Sequence, residues 1–122
     1  LDGAEGTYRI QGYADGEIRI NDVRYNRSLL VTPDTLVTEW GPASVEAART
    51  SDFAAVHELD PEVVLLGTGV HQTFPSRELM LSVMETGVGL EVMDTASACR
   101  TYNVLMSEGR RVVAALIIDQ GR

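Results

Sequence analysis

Two unbroken apolar runs, residues 63–66 and 112–118, constrain this chain more than anything else in it. A strand with one face in water alternates apolar and polar side chains, whereas a run with no polar member belongs to a strand covered on both faces. Residues 112–118 form the longer run and predict a central strand. Between the two runs lie patterns of helical period. Pro75 predicts the start of a helix that places Leu79, Met80, Val83 and Met84 on one stripe and ends at Gly87. Residues 90–93 read as a further strand. Asp94 or Thr95 caps the next helix, with Ala98, Cys99, Tyr102, Leu105 and Met106 as its buried stripe and Gly109 as its stop. Strands alternating with helices predict β-α-β crossovers.

The first third of the chain has a different period. Residues 17–20 and 23–26 alternate in period two around Asn21-Asp22, a two-residue turn, with Ile18, Ile20, Val23 and Tyr25 as the apolar set. That turn sets Arg19 directly opposite Arg24, a destabilising like-charge pair that calls for an anionic neighbour: Glu17, diagonal to Arg24, another acid of the chain, or a partner protein. Residues 28–31 predict a third strand. Residues 36–40 predict a fourth, with Leu36, Thr38 and Trp40 on one face, after the turn Thr32-Pro33-Asp34-Thr35. These segments predict an antiparallel meander over residues 8–40. Beyond Gly41-Pro42, Ser51 or Asp52 caps a short helix to Glu58 that buries Phe53 and Val56, and Asp60-Pro61 closes it. The expected organisation is one α/β domain over residues 1–122, with a β-α-β region at 51–118.

Composition narrows the function classes. Eighteen acids against ten bases give a net charge of -8, which disfavours nucleic acid and anionic membranes as partners. No apolar run approaches the roughly 20 residues of a membrane span. All ten bases are arginine, and without lysine there is neither a Schiff-base catalyst nor a Walker-type phosphate loop. Cys99 is the one cysteine, so no internal disulfide and no cysteine-based zinc site is expected. It falls near a helix N-terminus, which lowers a thiol pKa, yet shares a face with Tyr102 and Met106 and reads as a buried small hydrophobe. His57 and His71 are the only imidazoles and lack metal-ligand spacing. No metal and no cofactor is expected. Residues 1–7 lack signal-peptide order, so the expected compartment is the cytoplasm.

The candidate site is Gly67-Thr68-Gly69, where a buried strand ends and a crossover begins. Two glycines let the backbone turn N–H groups outward toward an anion, although Gln72 stands where a dinucleotide fingerprint needs its third glycine. Right-handed crossovers bring the helix starts near Pro75 and Thr95 to the same rim, each with positive dipole character. Arg77 and Arg100 add full charges, unless Arg77 is held in a salt bridge to Asp94, Glu78 or another acid. The ligand set so read is Gly67, Thr68, Gly69, Arg77 and Thr101, enclosing a carboxylate or phosphate. The other reading of Gly67-Thr68-Gly69 is a tight turn that needs glycine only for its conformation. Asn103, a poor helix former, reads with Thr101 as fixing a loop through backbone bonds.

Val63-Val64-Leu65-Leu66-Gly67-Thr68-Gly69, and Glu91-Val92-Met93-Asp94-Thr95-Ala96-Ser97-Ala98-Cys99-Arg100-Thr101-Tyr102-Asn103 running on to Glu108-Gly109-Arg110, carry a family resemblance. With residues 28–31 and Trp40, they resemble the small α/β domain family of largely unknown function shared with mitochondrial complex I assembly factor 3 and the adipogenesis-associated domain protein. The resemblance runs in order from about Tyr13 to Ile118. It implies a three-layer α/β fold with a mixed central sheet and a smaller N-terminal antiparallel β layer. It implies no reaction, and the assembly role belongs to one eukaryotic branch. Two readings of function stand side by side. One is a non-enzymatic accessory or assembly-type protein that acts through another protein. The other is a small-molecule (anion) binder or enzyme using the rim at Gly67-Thr68-Gly69 and Arg77.

Overall fold

A computed structural model describes residues 7–119. Residues 1–6, most of the segment read for a signal peptide, lie outside the described residues. The elements in order are β1 (Ile10–Ala14), β2 (Glu17–Ile20), β3 (Val23–Tyr25), β4 (Leu29–Val31) and β5 (Leu36–Val37). A 3-10 turn (Thr50–Phe53) leads into α1 (Ala54–Glu58), β6 (Val63–Gly67), α2 (Arg77–Met84), β7 (Gly89–Met93), α3 (Thr95–Ser107) and β8 (Val112–Leu116).

The two apolar runs lie side by side. β8 pairs parallel with β6, Val63 opposite Val112 and Gly67 opposite Leu116, and β6 pairs parallel with β7 on its other side. β4 joins β8 antiparallel and β5 joins β4, so the five-stranded sheet reads β5-β4-β8-β6-β7. Alternation along these strands sorts their side chains onto two faces. Leu29, Val31, Val63, Leu65, Val112, Ala114, Leu116 and Ile118 enter one core, which Ala98, Cys99 and Tyr102 of α3 and Ile10, Ile18 and Ile20 of the small sheet complete. Leu30, Val64, Leu66, Val113, Ala115 and Ile117 enter the other, beneath Phe53, Val56, Leu79 and Val83. The result is three layers, with α1 and α2 above the mixed sheet and α3 with the small sheet below it.

The crossovers follow from that order. β6 to β7 steps one way through α2 on one face, and β7 to β8 steps back over β6 through α3 on the other. Reversing both direction and face keeps one hand, as the right-handed crossover rule requires. Ser76 is the N-cap of α2, its side-chain oxygen accepting from the Leu79 N–H at 3.1 Å, so Pro75 precedes the cap instead of beginning the helix. Asp94 caps α3 in the same way, accepting from the Ser97 N–H at 2.8 Å.

The N-terminal meander is corrected in two respects. It divides between two sheets: β1-β2-β3 forms one by itself, while β4 and β5 belong to the central sheet. The fourth strand also ends early, at Val37 instead of Trp40. Glu39 has a φ of 58°, which reverses the chain, so Leu36 packs against one core and Trp40 against the other. Trp40 then meets Phe53 edge-to-face at 5.4 Å, and its Nε1–H donates to the Asp52 carbonyl at 2.7 Å. Asp52 accepts from the Arg49 N–H at 2.8 Å and thereby closes the 3-10 turn before α1. The Asn21-Asp22 turn has both φ values positive, 49° and 72°, the type I′ geometry that suits the twist of a hairpin.

The small sheet is fastened to α3 by Asn103. Its Oδ1 accepts from the Ile10 N–H at 3.1 Å and its Nδ2 donates to the Ile10 carbonyl at 2.7 Å. An amide matches a strand's backbone edge donor for acceptor, which explains a poor helix former at this place in α3. The anchored segment is strand β1, not a loop. The Tyr102 hydroxyl adds a bond to the Tyr8 carbonyl at 2.7 Å. Asn103→Ala leaves both Ile10 groups without this partner and is expected to lower stability by about 1–3 kcal/mol. Urea denaturation measures the loss, and amide exchange at Ile10 is expected to accelerate more than exchange in β6.

Candidate functional site

β6 and β7 are neighbours whose following segments leave toward opposite faces, to α2 and α3. The crevice outside the carboxyl ends of such strands is where an open α/β sheet offers room for a ligand. Here Gly67, Thr68, Gly69, Thr95 and Ile117 meet, and all five are buried. The expected meeting of the Gly67-Thr68-Gly69 turn with the start of α3 is therefore present. Its interior is closed by hydrogen bonds.

Thr95 is the centre of that closure. Its Oγ1 donates to the Ile117 carbonyl at 2.8 Å and accepts from the Gly69 N–H at 2.8 Å. Its own N–H donates to the Gly69 carbonyl at 2.9 Å. The Thr68 N–H donates to the Met93 carbonyl and the Ile117 N–H to the Gly67 carbonyl, each at 2.9 Å. The N–H groups of Thr68 and Gly69, read from the sequence as donors to an anion, are thus donated within the protein. Both glycines have conformational and steric reasons for being glycine. Gly69 has a φ of 102°, and a Cβ on Gly67 would stand 3.0 Å from the Thr95 Cα and 3.1 Å from Leu116.

The other residues of the expected ligand set are placed as follows. Arg77 opens α2, is exposed, and borders a shallow groove on that helix with Thr50, Leu81 and Glu85. It forms no salt bridge among the described residues, so the expected pairing with Asp94 or Glu78 is absent there. Thr101 lies in the middle of α3, six residues beyond Thr95 and so about 9 Å further along the helix axis. Arg100 is exposed and donates to the Ser97 hydroxyl at 3.1 Å. The Asp94 carboxyl is held below its ordinary range, first by the Ser97 backbone N–H and then by the Ser97 hydroxyl and the Arg100 guanidinium. Cys99 is 4% exposed, and burial pushes its thiol up to about 12, so it stays protonated and inert at neutral pH.

Beyond Gly69 the chain changes character. The Thr68 Oγ1 donates to the His71 carbonyl at 2.6 Å and accepts from the Thr73 N–H at 3.0 Å, which fixes the loop of residues 69–76. The Gln72 Nε2–H donates to the Val92 carbonyl at 2.9 Å and ties the same loop to β7. This well-bonded loop presents two apolar side chains to solvent, Val70 at 70% exposure and Phe74 at 63%. Neither was singled out in the sequence, although an apolar pair inside a loop between Gly69 and Pro75 breaks every period that would bury it. Among the described residues no cluster of His, Cys, Asp and Glu is placed to hold a metal. Nor is any helix among them long and apolar enough to cross a membrane.

Taken together, the fold and this rim define a three-layer α/β domain whose strand-end crevice is packed with its own residues. The chain belongs to the family described as protein of unknown function (DUF498/DUF598), which matches residues 10–117. A crystal structure of a protein from Bordetella parapertussis is 39% identical, with a TM-score of 0.82 over 93% of this chain and 98% of that one. NADH dehydrogenase (ubiquinone) 1 alpha subcomplex assembly factor 3 of Xenopus tropicalis is 32% identical over 93% of this chain. The chain spans 60% of that factor's length. The protein named 13 kDa major membrane protein in Francisella tularensis is 29% identical over 86% of each chain. The resemblance carried by residues 63–69 and 91–110 is therefore a true family relationship.

The closure makes two predictions. Thr95→Val keeps the shape but removes both hydroxyl bonds inside a buried site, and is expected to cost about 1–3 kcal/mol in urea denaturation, while Thr95→Ser retains the bonds and costs less. Cys99 in the native protein is expected to resist alkylation at pH 8, with a rate at least about tenfold below that of the urea-unfolded chain, because its thiolate is scarce and covered.

Proposed function

We propose that this protein is a non-enzymatic, assembly-type accessory that acts in the cytoplasm through contacts with another protein. The carrying observation is the contrast within one rim. The crevice that would hold a small ligand is filled by Thr95 and its bonds, while the adjoining loop holds Val70 and Phe74 out in solvent. A loop whose backbone is already bonded in place loses little entropy when its side chains are covered, the economy that favours protein docking. An aromatic side chain displayed on such a loop is a typical anchor for a partner's pocket. The relationship to assembly factor 3 of complex I supports the same class of role. The one cysteine is unpaired, as a reducing compartment permits.

A photo-crosslinking amino acid at position 74 is expected to capture a discrete partner in cells, and one at the exposed Ser107 is not. With that partner purified, Phe74→Ser is expected to weaken binding by about 2 kcal/mol, roughly thirtyfold, without changing the thermal midpoint. Equal labelling from both positions, or unchanged affinity in the variant, defeats the reading.

A further inference from the structure

The outer face of the three-stranded sheet carries a row that neither core nor the 69–76 loop uses. Gly12, Arg19 and Arg24 stand in register across β1, β2 and β3. The Ile20–Val23 pair flanks the two-residue turn, so Arg19 and Arg24 form the next, non-hydrogen-bonded pair, whose Cα atoms sit about 4.5 Å apart with their side chains closest. Both arginines are exposed, and neither forms an ion pair among the described residues. Glu17, the diagonal acid, shares their groove without pairing with either. Two like charges in this position repel, and no ion pair from the described residues holds either of them.

Beside the arginines the sheet is bare. A Cβ built on Gly12 meets nothing within 4 Å, and Gly12 is not among the residues with positive φ. A bulge that requires glycine places it in the left-handed region, so the irregular register between Ile10 and Gly12 does not demand one either. Glycine inside a strand weakens it, and often marks the close approach of another backbone. Gly12, Ala14, the two arginines and the acids Asp15 and Glu17 line a shallow groove of about 480 Å³. Over the wider segment the charge balance differs from that of the rest of the chain. Residues 7–31 hold four arginines against three acids, whereas residues 32–119 hold five against thirteen.

We propose that the Gly12–Arg19–Arg24 row docks an acidic segment of a partner protein, its backbone against the bare strand and its carboxylates on the paired guanidiniums. Arginine's fork of N–H donors fits a carboxylate two bonds at a time, and an acid arriving between the two arginines relieves their repulsion. The acidic remainder of the molecule steers a negatively charged segment toward this face. A nucleic acid, charged along its whole length, runs off the row onto that same acidic remainder. This surface is separate from Val70 and Phe74, so it stands even where the loop proves idle.

The test titrates a peptide of alternating glutamate and serine into the labelled full chain at low ionic strength, beside the matching glutamine peptide. Amide shifts are expected at Gly12, Arg19 and Arg24 with the glutamate peptide alone, fading as salt is added. Arg24→Glu is expected to weaken that binding at least about tenfold. The same change turns the like-charge pair with Arg19 into an opposite one, and a thermal midpoint that does not fall shows that lost binding is not lost folding. The proposal is overturned by the absence of shifts on this row at millimolar peptide, by equal shifts with the glutamine peptide, or by unchanged binding in Arg24→Glu. Tighter binding of a single-stranded oligonucleotide to the same amides overturns it as well.

Discussion

One hydroxyl group, that of Thr95, joins the ends of three segments that the chain makes far apart. It accepts from the turn after β6, donates to the chain leaving β8, and belongs to the first residue of the helix that follows β7. Parallel strands have no hairpin to fix their register, so bonds across their ends add to what the ladder and the buried side chains hold. Here a single buried side chain supplies such bonds, with Gly67 kept bare so that the helix backbone can come within 3.0 Å of where its Cβ would be. The same arrangement determines what the rim can do. The N–H groups of Thr68 and Gly69 are taken up in locking the strand ends, so neither is left for a ligand.

With the Thr68 and Gly69 N–H groups donated within the protein, the features left facing solvent lie outside the crevice. The loop that Thr68 and Gln72 hold in place is firm enough to present side chains, and the ones it presents are apolar. On the far layer, a hairpin presents paired arginines from a chain that is acidic nearly everywhere else. Both features cost stability where they stand. Their persistence is understandable if each is covered or neutralised by something outside the chain.

The parts of the fold legible from the sequence are those under one strong local constraint. Residues 63–66 and most of 112–118 are covered strands as their unbroken apolar runs predict, Asp94 opens α3 as read, and the helix stripes were plain from Leu79 and Val83, and from Ala98 and Tyr102. Asn21-Asp22 fixed the Arg19–Arg24 register because a two-residue turn admits no other. What escaped depended on tertiary partners. β1, with Gln11, Gly12 and Ala14 exposed, has little pattern of its own and is held by Asn103 from 93 residues away. β5 stops short because of the backbone at Glu39, which no propensity announces. Of the candidate site, the meeting of Gly69 with the start of α3 was legible from crossover handedness. The use of its N–H groups was not, since it turns on whether Thr95 points into the crevice or away from it.

The strand order carries a consequence for how the molecule comes into being. β8 follows every other described strand in the chain yet lies between β4 and β6, bonded to both. Until it is in place, the two halves of the central sheet have no seam, and the edges of β4 and β6 that face each other stay unpaired. The hairpin at the front is in the same position, since its anchor on α3 also lies far along the chain. The central sheet is thus completed only through contacts between segments far apart in the chain, the kind whose loop-closure cost slows folding.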